Sequence, residues 1–576
     1  MATSSPLTCG ASSNHVSSTS PPAAFMPTKA WWKEAVIYQI YPISFFDSNG
    51  DGIGDLNGIH AKLDYLRDLG VDVIWLSPIY RSPLADMGYD ISDYENIDPR
   101  YGTLADWDNL LKGVHERGMK LMMDLVVNHT SDEHDWFLRS RSSKSDPKRD
   151  WYIWRPPKYD SAGNRCTPNN WKSTFQGPAW DYDEKTGEYY LHIYVAKQPD
   201  LNWDNPDVRE AAWDVMRFWI NRGCDGFRMD VINLISKAEG LPDAPITVPG
   251  DEYQPASMHF ANGPRVHEYI KEMHSKVLSK QDLITVGETP FTHDASQLAA
   301  YVLPANKELN MVFQFELMDI DSPKEGQDIA ALKTKKWSVD EFRNISGTQF
   351  VYQGQELALK NFPRSWGIQE YKDVASLNYW NSVLAQRRAE RGTEDVDMSD
   401  TLDNFQKKAR DHSRVPMQWD DSPNAGFTTG VPWMRVNEDH GKWNAASQLA
   451  DENSVLAFWK QALGIRKQYD VLVREALILF LSRSIDEYER AQIYGDFTDI
   501  SHGHPSVFAY VRTLEDTKAM ILLNFKEEET EFELPDAHRW DDYVLTLRNY
   551  QEEGTSFRTS QKVRLRGFES RLYIRA

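Results

Sequence analysis

The sequence runs to 576 residues, too long for one simple core, so two or three domains are expected. With 41% apolar and 12% aromatic residues it has a globular make-up, and its formal net charge of -22 argues against nucleic acid and anionic membrane as partners, which it would repel. Cys9, Cys166 and Cys224 are too few and scattered for a disulfide framework, which points to a reducing compartment, the cytoplasm, and no apolar run reaches bilayer-spanning length.

Residues 1–28 are rich in Ser, Thr, Pro and Ala, without the basic start or apolar stretch of a signal peptide, and read as a disordered tail. Order begins near Trp31, and Ala35 to Pro42 has the pattern of a buried strand. A unit then recurs. Leu63, Leu66 and Leu69 share a helical face, Gly70 ends the helix, and Val71 to Pro78 is a strand ending in turn residues. Thr103 and Asp106 open a helix stopped by Gly118 before the strand Leu121–Val127; Asn205 and Pro206 open another, stopped by Gly223 before Gly226–Ile232. Stretches 284–288, 311–315 and 349–352 read as later strands of the series. Helix alternating with nearly continuous apolar strand predicts an α/β fold of the (β/α)8-barrel type, with function at the C-terminal ends of the strands.

The segment 130–203, aromatic and Pro-rich with little helical periodicity, is expected to form a small inserted domain between two barrel portions, 29–129 and 204–470. After about residue 494 short alternating stretches such as Val507–Val511 predict an antiparallel β-domain, which we bound as 471–576.

In the strand Gly226–Ile232, alternation puts Arg228 and Asp230 on one face and Phe227 and Met229 on the other. Charges held in a strand are costly to bury and are usually used, although a structural ion pair is the competing account. Glu288 ends the neighbouring strand. Two carboxyl groups across one cleft are what glycosidic-bond hydrolysis needs, one as nucleophile and one as acid. Arg228 should keep Asp230 ionised, while Glu288, with no cation adjacent in sequence, should keep its proton.

The stretches Asp124-Leu-Val-Val-Asn-His129, Gly226-Phe-Arg-Met-Asp230, Val286-Gly-Glu288 and Gln198-Pro-Asp-Leu-Asn202 resemble those of α-amylase-superfamily enzymes of the oligo-1,6-glucosidase and maltase group, and the likeness runs from about residue 31 to the end. The resemblance implies a retaining α-glucosidase acting on short oligosaccharides without an organic cofactor, with Asp230 as nucleophile and Glu288 as acid/base. It implies that Asp86, Tyr89, His129 and Arg228 line the pocket for the terminal glucose, and that Arg414 helps Asp86 hold the 4-hydroxyl. From Val231, after the nucleophile, the resemblance also implies a preference for α-1,6 links. The run Asp47, Asn49, Asp51, Ile53, Asp55 alternates oxygen ligands around a glycine turn as calcium loops do, and the resemblance implies a structural Ca²⁺ there. A plain Asn-Gly and Asp-Gly turn is the alternative. Oligomeric state is left open by these patterns.

Two departures stand out. The family's third catalytic carboxylate belongs to an Asn-His-Asp motif ending the seventh barrel strand, and that motif is missing. About 29 residues separate Met318 from Thr348, where helix, strand, helix and loops need roughly 40. Conversely, 474–493, with the apolar run Ala476–Leu481, interrupts a junction that the family usually crosses directly. One loss and one gain in a single chain resemble an error of exon boundaries, and a barrel of impaired or absent catalysis is the alternative function.

Overall fold

The computed structural model describes residues 30–322, 334–342, 348–473, 496–501, 503–538, 542–551 and 562–576. The expected tail 1–28 and the insert 474–493 lie outside the described residues.

Seven strands form the central sheet: β1 Val36–Ile40, β2 Val73–Leu76, β3 Lys120–Val126, β4 Gly226–Asp230, β5 Ile284–Gly287, β6 Met311–Val312 and β7 Gln349–Tyr352. Their order is β6-β5-β4-β3-β2-β1-β7, and every pairing is parallel. Strands buried along their whole length, such as β2 and β4, are the reason their sequences read as continuous apolar runs. Between them lie α1 Leu63–Leu69, α2 Leu104–Glu116 and α3 Pro206–Asn221. The Thr103–Asp106 capping box and the Asn205 cap are both formed. Gly70, Gly118 and Gly223 all take left-handed φ values, as the expected helix stops require. α2 and α3 meet the sheet through Trp107 and Trp219, both fully buried with ring centroids 5.0 Å apart, each contributing roughly 1.5–3 kcal/mol through burial.

The sheet curls until its two ends approach. Trp75 on β2 meets Phe313, just past β6, at 5.7 Å, and Phe350 on β7 at 6.5 Å, and the two phenylalanines meet each other at 5.0 Å. No ladder joins β6 to β7 among the described residues, so the interior closes through side chains where an eighth strand would have supplied hydrogen bonds. The expected strand 311–315 pairs only over Met311–Val312, and a short helix begins at Phe315. With a neighbour on one edge alone, half of its backbone groups lack a ladder to hold them extended. β7 is anchored on its other side by Glu356, fully buried, whose Oε1 accepts from Tyr38 Oη and Tyr65 Oη at 2.8 Å each and whose Oε2 accepts from the Gly354 N–H.

Within 130–203, Trp154–Arg155, Glu188–Leu191 and Trp180–Asp183 form a three-stranded antiparallel sheet. It is tied to the end of β3 by a bridge between His129 and Asp200. At the C-terminal end, Asp496–Asp499, Val507–Leu514, Thr517–Asn524, Ser570–Arg575 and Val544–Arg548 make a five-stranded antiparallel sheet over its own apolar core. No described helix is long and apolar enough to cross a membrane.

Candidate active site

Parallel register places Arg228 of β4 opposite Asp124 of β3 and Val286 of β5. Phe227 and Met229 point outward into the main apolar core, and Arg228 and Asp230 point inward. The guanidinium serves three carboxylates at once: Nη1 donates to Asp124 Oδ1 at 2.8 Å and to Asp230 Oδ1 at 2.6 Å, and Nη2 donates to Glu288 Oε2 at 2.6 Å. Two expectations are corrected here. Glu288 does have a cation, because the strand register brings the same arginine to both acids. Asp230 is not held at an ordinary carboxylate value either. Burial outweighs Arg228 and pushes Asp230 up to about 6 and Glu288 up to about 7. Glu288 keeps the higher value and, at 21% side-chain exposure against 8% for Asp230, the more open side.

Val231 follows in the left-handed region at φ 36°, ψ 42°, a strained conformation for a β-branched residue. That conformation sends its N–H to Glu288 Oε2 at 3.1 Å. Its side chain packs into an apolar cluster with Trp171, Leu234 and Phe260, so any influence on a leaving sugar runs through this packing and the Val231 backbone.

The remaining expected pocket residues gather alongside. The Asp90 carboxylate accepts from the Ala85 and Asp86 N–H groups and shapes the loop after β2. Asp86 is buried; its Oδ2 accepts from Gln198 Nε2 at 3.1 Å, while its Oδ1 is buried with no hydrogen-bond partner. Tyr89 Oη donates to Asp124 Oδ2 at 3.2 Å. His129 is buried, with Nε2 3.2 Å from the Tyr89 carbonyl and 3.1 Å from Gln198 Nε2. Burial lowers its pKa and favours the neutral ring. Arg414 is buried, and its Nη1 pairs with Asp373 at 3.1 Å and lies 3.5 Å from Asp411. The cation near Asp86 Oδ1 is Arg410, at 4.0 Å.

The family model for the α-amylase catalytic domain matches residues 39–344 and 340–475. The chain belongs to the α-amylase family. An α-glucosidase of Schizosaccharomyces pombe is 45% identical, over 91% of this chain and 94% of its own length. An oligo-1,6-glucosidase of Parageobacillus thermoglucosidasius is 44% identical, over 95% of this chain and 99% of its own. A solved trehalose-6-phosphate hydrolase of Bacillus licheniformis superposes with a TM-score of 0.82 at 35% identity, covering 95% of this chain and 100% of that one. The match to the P. thermoglucosidasius enzyme extends over 594 positions, more than the 576 residues available here, so the relative carries residues with no counterpart in this chain. The α-amylase family match itself divides at 340–344, between β6 and β7, which no ladder joins among the described residues.

In this α-amylase-family chain three residues of the mouth escaped the sequence reading as site residues. Asp124 and Gln198 open two of the stretches that carry the family resemblance without having been singled out as site residues, and Asp124 is also the lone charge inside the apolar run Leu121–Val127; Arg410 sits on a loop whose approach no periodicity signals. The loop Asp47–Asp55 has the turn geometry expected of it: Gly50 and Gly52 are left-handed, and a Cβ on Gly52 would lie 1.8 Å from the Val431 carbonyl. Asp47 Oδ1 accepts from the Asn49 and Gly50 N–H groups and Oδ2 from Gly52 N–H and the Thr428 hydroxyl, while Asp55 accepts from Ser48 and caps the next helix at Gly58. The donor types suit Ca²⁺, but the two buried carboxylates are already filled by hydrogen donors. Among the described residues no three acidic, His or Cys side chains converge as a metal group.

Proposed function

We propose that the mouth removes terminal non-reducing α-linked glucose from short oligosaccharides by a retaining mechanism, with α-1,6 links preferred. The guanidinium of Arg228, which donates at 2.6 Å to Asp230 and at 2.6 Å to Glu288 from the ends of neighbouring strands, carries this reading. One guanidinium that spans both carboxyls holds them close together, as a nucleophile and an acid/base about 5 Å apart require, whereas inversion needs a wider gap for its water. Asp230, lower in pKa and bonded to Arg228, is the nucleophile; Glu288, higher and more open, protonates the leaving oxygen and then activates water. The unpartnered Asp86 Oδ1 is an acceptor waiting for a sugar hydroxyl, with Tyr89, His129 and Arg228 around it and Arg410 in the position first expected of Arg414. The names of the relatives support the substrate class. Incubation at high protein concentration with isomaltose and with maltose tests the proposal. Isomaltose should be cleaved faster, α-glucose appearing first by NMR; discrimination by packing near Val231 is worth about 1–3 kcal/mol. Faster maltose cleavage would reject the linkage preference, and β-glucose as first product would reject retention.

A second reading, a barrel that binds sugar with impaired turnover, is favoured by the lack of a ladder between β6 and β7 among the described residues.

We also propose a structural Ca²⁺ held by Asp47, Asn49, Asp51, the Ile53 carbonyl and Asp55, supported by the alternation of oxygen groups around two left-handed glycines. The ion would share oxygens with the backbone donors already on Asp47 and Asp55, which makes the site weak. Millimolar Ca²⁺ should therefore raise the melting temperature measurably over that in chelator. Identical melting with no bound metal would leave the loop a turn. We assign the protein to the cytoplasm, supported by the free thiols of Cys166 and Cys224.

A further inference from the structure

Lys237 is an amine almost wholly withdrawn from solvent, with 5% of its side chain exposed, seven residues beyond Asp230 in a segment that the proposed chemistry does not use. Its Nζ lies 2.6 Å from Asp200 Oδ2 and donates to Asn128 Oδ1 at 2.8 Å and to the Leu234 carbonyl at 2.7 Å. Three segments meet at this one cation: the turn after β4, the end of β3, and the inserted segment that carries Gln198.

An ammonium group has donors only, and that fixes everything downstream. Because Lys237 donates to Asn128, the amide must present its oxygen to Lys237 and its Nδ2 to the other side. There Nδ2 donates to Asp200 Oδ2 at 3.2 Å and faces His129 Nδ1 at 3.2 Å. His129 Nδ1 is thereby an acceptor, so in the neutral ring the proton resides on Nε2 and is donated to the Tyr89 carbonyl, because the Gln198 amide nitrogen on its other side is itself a donor, committed to Asp86. Asp200 Oδ1 in turn accepts from the Ile193 N–H, so pairing with Lys237 also fixes the loop that delivers Gln198.

We infer that Lys237 is a positioning residue for glucose recognition, orienting Asn128 to select the His129 tautomer and clamping Asp200 to keep Gln198 against Asp86. The inference rests on the reading of this mouth as a glucose pocket. The charges facing His129 are Asp86 from the loop after β2, Asp200 from the inserted segment and Lys237 from beyond β4; both acids favour the protonated ring, and Lys237 opposes them. Removing Lys237 therefore favours imidazolium, which loses the acceptor at Nδ1.

The test is calorimetric binding of 1-deoxynojirimycin, a glucose-shaped imino sugar, to the full chain at pH 7.5 and pH 5.5. Lys237→Met should weaken binding at least tenfold at pH 7.5, with a further loss relative to the parent at pH 5.5. Lys237→Arg, also a donor only, should stay within about threefold of the parent. Because Lys237→Met leaves Asp200 buried and unpaired, the double variant Lys237→Met with Asp200→Asn removes both charges and answers for it should it fail to fold. That variant should remain folded and still bind weakly. Parent-like affinity in either Met variant at both pH values overturns the inference. Failure of the parent chain to bind the imino sugar overturns the glucose-pocket reading and this inference with it, whereas tight parent binding unaffected by the variants overturns the positioning role alone.

Discussion

Assayed beside a version with a seventh strand restored between residues 318 and 348, this chain should hydrolyse p-nitrophenyl α-glucoside at least about 10²–10³-fold more slowly, the typical effect of losing one preorganised electrostatic group. An oxocarbenium-like transition state carries positive charge that the bound sugar lacks, so a carboxylate against the ring lowers the barrier selectively. Here the three acids that do converge, Asp124, Asp230 and Glu288, share the single cation of Arg228, and the motif that should supply the family's third catalytic carboxylate is missing. The open seam adds to the deficit. Between β6 and β7 the described residues meet through the rings of Phe313, Phe350 and Trp75 and not through a ladder, so the strand ends that aim Asp230 and Glu288 lack a hydrogen-bonded frame on one side. Comparable turnover by the two versions would mean that another group supplies the missing negative charge.

Arg228→Met should be the most damaging single substitution for stability. One guanidinium, 6% exposed, answers three carboxylates, and removing one partner of a buried ionic cluster typically costs about 3–5 kcal/mol. The penalty depends on pH with a definite sign. Burial already raises Asp124 and Asp230 to about 6 and Glu288 to about 7, from ordinary values of 3.8 and 4.5. Between about pH 4 and pH 7 the folded state therefore holds more protons than the unfolded chain, and the stability tied to these groups falls as pH rises through that window. Without the cation the three carboxyls hold their protons more firmly. Denaturant midpoints at pH 7.5 and pH 5 measure this: the gap between variant and parent should be wide at pH 7.5 and should narrow at pH 5. An equal gap at both would show that packing of the arginine, not charge, was lost.

What the sequence made legible follows the distance over which each signal acts. Helix stops at Gly70, Gly118 and Gly223, the Thr103 capping box and the Asn205 cap are local chemistry, and each is found where the sequence puts it. Strand alternation placed Arg228 and Asp230 on one face for the same reason. What alternation could not give is the register between strands, which brings Arg228 to Glu288 as well as Asp230, and adds Asp124. Nor could it show that Arg414 finds Asp373 and Asp411 while Arg410 approaches Asp86, since these meetings depend on loops that carry no periodicity. The shortness of the segment between Met318 and Thr348 was readable from spacing alone, because helices and strands need a minimum length of chain, and among the described residues no strand is found there.

The clasp of Glu356 by Tyr38 and Tyr65 has a consequence for the order in which a growing polypeptide can assemble. Each of β2 to β5 can settle beside a partner made earlier, but the far edge of β1 has no partner until residue 352, and no fastening until residue 356, has left the ribosome. Translation at about 5–20 residues per second separates the emergence of β1 from that of β7 by roughly a quarter of a minute to a minute. Throughout that interval the β1 backbone is an open template, and among the described residues the far edge of β6 gains no ladder even after β7 has paired with β1, so one margin of the sheet stays unpaired once synthesis has passed residue 356.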